Sequence, residues 1–206
     1  MADVKLTKNE LRAQQIRLLQ LQKYLPTLQL KKAMLQLQVN EARFEIQQLE
    51  LEFSHARNKV EGYAPLLSQT TAVDFLEAAR VKEVEKDYEN IAGVDIPIFR
   101  GVTFAAATYS LFETPPWVDA ALDLLRQMVK AKVKVTVAEE KKAALEKELR
   151  DVSIRVNLFE KVLIPRASGN IKKIKIFLGD QQLAAVSQAK VAKGKIIQRK
   201  LERMKQ

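Results

Sequence analysis

The apolar positions of the first sixty residues keep a seven-residue clock. Leu18, Leu25, Val39, Ile46, Phe53 and Val60 mark one position of the repeat. Leu21, Leu28, Leu35, Ala42, Leu49 and Ala56 mark the other, and from Leu11 onward only Gln14 and Lys32 fall on the seam without being apolar. A stripe kept over this many heptads predicts a coiled-coil helix rather than a globular one. About fifty residues rising ~1.5 Å each would extend roughly 75 Å. The C-terminal part repeats the design. Leu124, Met128, Ala131, Val135, Ala138, Leu145, Leu149, Val152, Val156, Phe159 and Leu163 form a seam interrupted at Lys142. Ile171, Ile174, Leu178, Ala185 and Ala192 continue it at heptad-like spacing. Two such seams predict an antiparallel helical hairpin, residues 10–60 against 118–200, with the termini near the same end.

The segment between them breaks the rule. "GYAPLLSQTT" and "TPPW" are punctuation. A short helix is expected between Asp74 and Tyr88. In "VDIPIFRGVTFAAATYSLF" the period changes to two: Val94, Ile96, Ile98, then Val102, Phe104, Ala106. That predicts a β-hairpin over residues 94–107 turning near Arg100-Gly101, with Pro97 on an edge strand. The chain thus reads as all-α, a long antiparallel coiled coil with a small middle region holding a short helix and a β-hairpin. Its divisions are an N-terminal coiled-coil helix over 1–62, a middle segment over 63–117, and a C-terminal coiled-coil helix over 118–206 interrupted near Pro165.

That interruption lies in "RVNLFEKVLIPRA", residues 155–167. A proline inside a helix removes one backbone hydrogen bond and crowds the preceding turn. Pro165 is therefore expected to bend or offset the helix and to fix Arg166 where its axis changes. Arg166 either faces a partner or caps carbonyls freed by the proline. On the first helix a second apolar row, Leu30, Leu37, Phe44 and Leu51, joined by Met34, runs roughly opposite the seam. A two-stranded coil needs one stripe. The extra row either packs within the chain or docks another protein.

Composition adds that Leu, Ala, Lys, Glu and Gln dominate, the palette of long helices. No Cys is present, which excludes disulfides and thiolate chemistry, and one His, His55, cannot build a His-based metal site. No phosphate-binding G-x-x-x-x-G-K-[ST] occurs, and no catalytic constellation is recognisable. No cofactor is expected. No apolar run is long enough to span a bilayer, and "MADVKLTKNE" has no signal-peptide core, so a cytoplasmic protein is expected.

The net charge of +10 is unevenly placed. Residues 1–62 carry ten basic and seven acidic residues, 63–117 four and eight, and 118–206 twenty-one and ten. The tail "AKVAKGKIIQRKLERMKQ" has seven basic residues, among them Lys195, Arg199, Lys200 and Arg203, against Glu202. It suits an acidic protein sleeve. It also leaves open a basic coiled-coil adaptor for nucleic acid or an anionic membrane surface, although it lacks aromatics for stacking.

"RVNLFEKVLIPR" followed by "IKKIKIFLGD" resembles the C-terminal signature of the D subunits of V-type (A/V-type) ATPases, R-V-N-A-L-E-x-V-V-I-P-R and a T-I-x-x-I helix. Arg155, Val156, Asn157, Glu160, Val162, Ile164, Pro165, Arg166, Ile171 and Ile174 carry the match. The N-terminal stretch is similar to the family's P-T-x-x-x-L opening through Thr7, Leu11, Leu18, Leu25, Leu28, Lys31 and Leu35. "NIAGVDIPIF" resembles the segment before the family's hairpin. Departures are Leu6 for the proline before Thr7, Phe159 for a smaller Leu, Pro26 for a small residue, and "GDQQLAAVSQAK" for an acidic stretch.

The resemblance implies a non-catalytic central-stalk rotor that couples ATP hydrolysis or synthesis to ion translocation. Its terminal helices would enter a hexamer of catalytic A and B subunits. Its middle would meet the F subunit of the stalk and the membrane-proximal C/d subunit. It would then be cytoplasmic and peripheral to the membrane, with no nucleic-acid partner and no membrane insertion of its own. Partner contacts would be Pro165, Arg166, Lys195, Arg199, Lys200 and Arg203, together with the row Leu30, Leu37, Phe44 and Leu51.

Overall fold

The computed structural model describes residues 4–67, 73–106 and 114–203, and the side chains of Leu67 and residues 201–203 lie outside the description. A 54-residue helix, α1 (Lys8–Glu61), opens the chain. Thr7 caps it: its hydroxyl oxygen accepts from the Glu10 N–H at 3.2 Å and its carbonyl from the Leu11 N–H at 3.0 Å. Two single-turn helices follow, α2 (Ala64–Leu67) and α3 (Phe75–Ala78), the latter capped by the Asp74 carboxylate on the Leu76 and Glu77 N–H groups. Then come β1 (Val81–Ile91), β2 (Val94–Phe104) and α4 (Trp117–Leu158). A five-residue π-helical turn, Phe159–Leu163, leads into α5 (Ile164–Arg203).

By packing, the chain falls into two units, Met1–Gln29 with Ile154–Gln206, and Leu30–Ser153. In the second unit α1 and α4 are antiparallel. Lys31 pairs with Glu148 at 2.7 Å, Arg43 with Glu146 at 2.8 Å, Glu45 with Lys141 at 2.8 Å and Glu52 with Lys134 at 3.5 Å. Between these exposed or half-exposed pairs lies the apolar seam. Leu35, Val39 and Ala42 of α1 and Ala131, Val135, Ala138, Leu145 and Val152 of α4 are buried. Burying a leucine removes about 1.5–3 kcal/mol of apolar exposure, whereas an exposed ion pair is worth about 0–1 kcal/mol. The seam holds the helices together, and the ion pairs trim its edges. In the first unit Leu21 of α1 and Val156, Ala167, Ile171 and Ile174 of the C-terminal helices are buried, and the Gln29 amide donates to the Glu160 carboxylate across the pair. Every seam position of α1 from Leu11 to Val60 is at least half-buried, including Gln14 and Lys32.

One expectation for the C-terminal helix needs correction. The seam does not pair as far as residue 200: from Asp180 to Lys200 every residue is exposed, Ala185 and Ala192 included. α1, which begins at Lys8, supplies no partner that far along. Near Pro165 the α-helical ladder is interrupted by the π turn, and the chain stays helical through it. The backbone changes hydrogen-bonding register just before the proline, with the Ile164 N–H bonded to the Phe159 carbonyl five residues back, and α5 then continues. The turn absorbs one extra residue. Heptad counting from Leu145, Leu149, Val152 and Val156 runs on to 159, 163, 166, 170 and 173. The buried positions are instead Ala167, Ile171 and Ile174, each one residue later. The slip keeps Arg166 and Lys173 exposed, where an unbroken repeat would turn them into the seam.

The middle segment also departs from expectation. The short helix ends at Ala78, and residues 81–91 are a strand. The hairpin pairs β1 with β2 from Val81↔Phe104 to Ile91↔Val94 and turns at Ala92-Gly93, not at Arg100-Gly101. Residue 107 of the expected hairpin lies outside the described residues. Ala92 and Gly93 both have positive φ, 52° and 81°, as a tight two-residue hairpin turn requires. Asn90 braces the turn, its side-chain oxygen accepting from the Gly93 N–H at 3.0 Å. Arg100 is the extra residue of a bulge, since Glu85 pairs with Gly101 and Lys86 with Phe99. Pro97 is tolerated because β2 has one neighbour, β1. Ile96 and Pro97 are buried, and the Lys86 ammonium meets Glu140 of α4 at 2.6 Å.

A left-handed conformation costs an L-residue about 1–2 kcal/mol, and Asn tolerates it better than Ala. Ala92→Asn should therefore slow amide exchange across Val84–Phe99 while leaving the α1 seam unchanged. Hydrogen exchange with mass spectrometry checks this. Faster exchange in the variant would show that the turn is not strained.

Candidate interaction surfaces

The second apolar row of α1 is exposed. Leu30, Leu37, Phe44 and Leu51 are 57–62% accessible, and Met34 is 49% accessible. They recur every seven residues on the side away from the seam, so the pairing that buries the seam turns them outward. Around them lie the exposed amides Gln36, Asn40, Gln47 and Gln48 and the exposed carboxylate Glu41, which sits between Leu37 and Phe44. A row of large apolar side chains with a polar rim resembles half of a helix–helix interface.

On α5 the structure separates the candidate residues into two groups. Pro165 and Arg166 are exposed beside the π turn. The Arg166 guanidinium borders a shallow cleft with Glu10, Gln14, Arg17, Leu163 and Asn170. Lys195, Arg199 and Lys200 lie farther along, on the unpaired stretch of α5, and the Arg203 side chain lies outside the described residues. This stretch is not simply a basic spike. Leu183, Val186, Val191, Ile196 and Ile197 are 49–69% accessible on it.

One organising residue escaped the sequence reading. Arg126 of α4 donates from Nε and Nη2 to the Ala78 carbonyl at 3.2 and 3.0 Å and from Nη2 to the Ala105 carbonyl at 3.3 Å. Its guanidinium lies 5.5 Å from the centre of the Phe104 ring. It grips the two chain ends at the base of the ribbon, which also meet through the Ala105 N–H on the Arg80 carbonyl at 2.9 Å. Beside it Ala78, Ala79 and Leu122 form a small core packed by Leu125, and Phe75 stacks on Trp117 at 5.9 Å. The only hint in the sequence is an arginine among the apolar residues that open α4.

Among the described residues no three His, Cys, Asp or Glu side chains gather as a metal site would need, and no charged side chain is buried. The Glu146 carboxyl is held below the usual range, chiefly by its hydrogen bond from Arg43; burial opposes this, and the charges of Lys142, Arg43 and Arg150 add to it. Because this pKa is lowered on folding, the pair adds stability above the ordinary glutamate pKa and loses it as pH falls through the lowered value.

The seam-locked helix pair and its docked ribbon define a coiled-coil protein with exposed apolar and basic faces. Residues 10–194 match the family model that describes the D subunit of ATP synthase. The V-type ATP synthase D subunit of Chlamydia caviae is 46% identical over 202 residues, covering 98% of this chain and 97% of that protein. The protein of the same name from Chlamydia felis is 45% identical over 202 residues, with the same coverage. That from Chlamydia trachomatis is 44% identical over 200 residues, covering 97% of this chain and 98% of that protein. The chain belongs to the family of V-type ATP synthase D subunits.

Two outcomes follow from these contacts. Arg126→Ala should destabilise the ribbon by about 1–3 kcal/mol, because it leaves carbonyls without their donor. Arg126→Lys should not restore it, since an ammonium cannot fork over both chain ends. Exchange rates of Val81–Phe104 measured beside those of α1 give the answer. Separately, Arg43→Gln should move the Glu146 titration upward toward the ordinary glutamate range. A carboxyl-carbon NMR titration reads this directly, and an unmoved curve would assign the shift to another group.

Proposed function

We propose that the chain is the non-catalytic central-stalk shaft of a V-type rotary ATPase. It couples ATP hydrolysis or synthesis in an A/B hexamer to ion translocation. The observation that carries this reading is the stretch of α5 from Asp180 to Lys200, a helix exposed on every side that bears both large apolar residues and lysines and arginines. A single helix of that composition gains from a surrounding protein sleeve. Contacts made through exposed charges are worth about 0–1 kcal/mol each, so they can be exchanged as a shaft turns. Lys195, Arg199, Lys200 and Arg203 would supply such contacts, and Pro165 and Arg166 would meet the sleeve nearer its mouth.

In this reading the row Leu30, Leu37, Phe44 and Leu51 docks a non-catalytic neighbour of the stalk. The stalk's F subunit and the membrane-proximal C/d subunit are the partners of the middle region. ATP sites belong to the A and B subunits. The chain is peripheral to the membrane and held there through the complex. No helix among the described residues is long and apolar enough to cross a bilayer.

The test is reconstitution of the full chain with the A/B hexamer and the other stalk proteins. The purified chain should not hydrolyse ATP by itself. Truncation after Lys190 should leave the helix pair folded but lower coupled ATP turnover, while Lys195→Ala alone should do little. Phe44→Glu with Leu37→Glu should release one stalk neighbour without loss of helix content. Steep, salt-sensitive binding to DNA or anionic vesicles, with no retention by the hexamer, would favour the basic adaptor instead.

A further inference from the structure

The π turn has a counterpart on the facing helix. The bond from Gln29 to Glu160 fixes the level at which α1 meets the turn. Pro26 lies within α1 one turn away, toward the position opposite Leu163. Each proline removes a backbone donor, so the Gln22 carbonyl in α1 and the Lys161 carbonyl before α5 lose their usual partners. The Glu160 carbonyl is also passed over. The Ile164 N–H bonds to Phe159 instead, and the next residue, Pro165, has no N–H to offer. Two helices that pair along their length thus have their backbone ladders thinned at the same level.

Side-chain packing thins there as well. From Gln22 to Gln29 of α1, and from Asn157 to Arg166 opposite, no residue is fully buried. Leu21 lies just outside this section on one helix, and Val156 and Ala167 bound it on the other. The section is where the seam slips by one residue. Resistance of a helix pair to bending comes from continuous hydrogen-bond ladders and a close-packed seam, and at this level each ladder lacks a donor and neither helix has a fully buried residue.

We propose that Pro26 and the Phe159–Leu163 turn form a built-in compliant section, a place where the helix pair yields while the packed stretches beside it stay stiff. The slip is also removable. Deleting exposed Lys161 would return the helix to an unbroken repeat in which Phe159, Ile164, Ala167, Ile171, Ile174 and Leu178 all fall on the seam. The extra residue is therefore not needed to bury the seam. It is kept at the cost of local order.

The test uses the full chain and does not depend on the rotor reading. In the wild type, amides of Gln22–Gln29 and Phe159–Ile164 should exchange roughly tenfold faster than those around Leu21 and Ile171, the effect of about one net hydrogen bond. Deletion of Lys161 should preserve helix content, hold or raise the melting temperature and slow exchange across the turn. Deletion of exposed Lys147 in α4, where no slip exists, should lower the melting temperature because it rotates the seam beyond it. Pro26→Ala should slow exchange in Gln22–Gln29. Uniform exchange along the wild-type pair would overturn the proposal. So would a Lys161 deletion that destabilises as much as the Lys147 deletion.

Discussion

The heptad seam between α1 and the C-terminal helices is the interaction on which the rest depends. Its apolar side chains are spaced so that one face of each helix is buried, and no charged residue is buried anywhere among the described residues. The ion pairs Lys31–Glu148, Arg43–Glu146 and Lys141–Glu45 border that face and fix alignment more than they add stability. Once the seam is closed, the orientation of everything else on the helices follows. The row from Leu30 to Leu51 must point outward, and α4 presents Arg126 and Glu140 to the ribbon.

A seam of this kind tolerates no uncompensated insertion, because one extra residue rotates everything beyond it by about 100°. The chain carries such an insertion and absorbs it in the π turn. α-Helical bonding resumes in α5 from Ile164, and Pro165 next to it has no N–H with which to extend the i→i−5 pattern. Arg166 gains its exposure from this slip. A basic residue that strict periodicity would bury is delivered to the surface beside the π turn.

Much of this was legible because coiled-coil periodicity is local. Every seam residue assigned on α1 is at least half-buried, and the eight-residue interval from Leu163 to Ile171 already contains the slip. What remained hidden depends on partners distant in sequence. β1 carries Val81, Val84, Tyr88 and Ile91 at helical spacing, so its pattern imitates a helix although it pairs as a strand. Ala92-Gly93 is a weaker turn signal than Asn-Gly, and Arg100-Gly101 drew the turn to what is a bulge. The point at which α5 loses its partner follows from where α1 begins, which no pattern within α5 reveals. The two carbonyls gripped by Arg126 belong to residues 78 and 105, and nothing in the neighbourhood of residue 126 names them. The surface candidates stood out by their spacing, by the proline beside Arg166 and by the charge of the tail. Their exposure came from the fold, and their partners are a matter of chemistry beyond the chain.

The central claim is that the seam closes within one chain. Thermal unfolding followed by circular dichroism, over about a hundredfold range of concentration and with sedimentation equilibrium on the same samples, tests it most directly, because an intermolecular coil melts at a concentration-dependent temperature. A seam closed within one chain gives a highly helical monomer whose melting temperature does not move. A helix content that falls on dilution, together with a dimer mass at the higher concentrations, would contradict it.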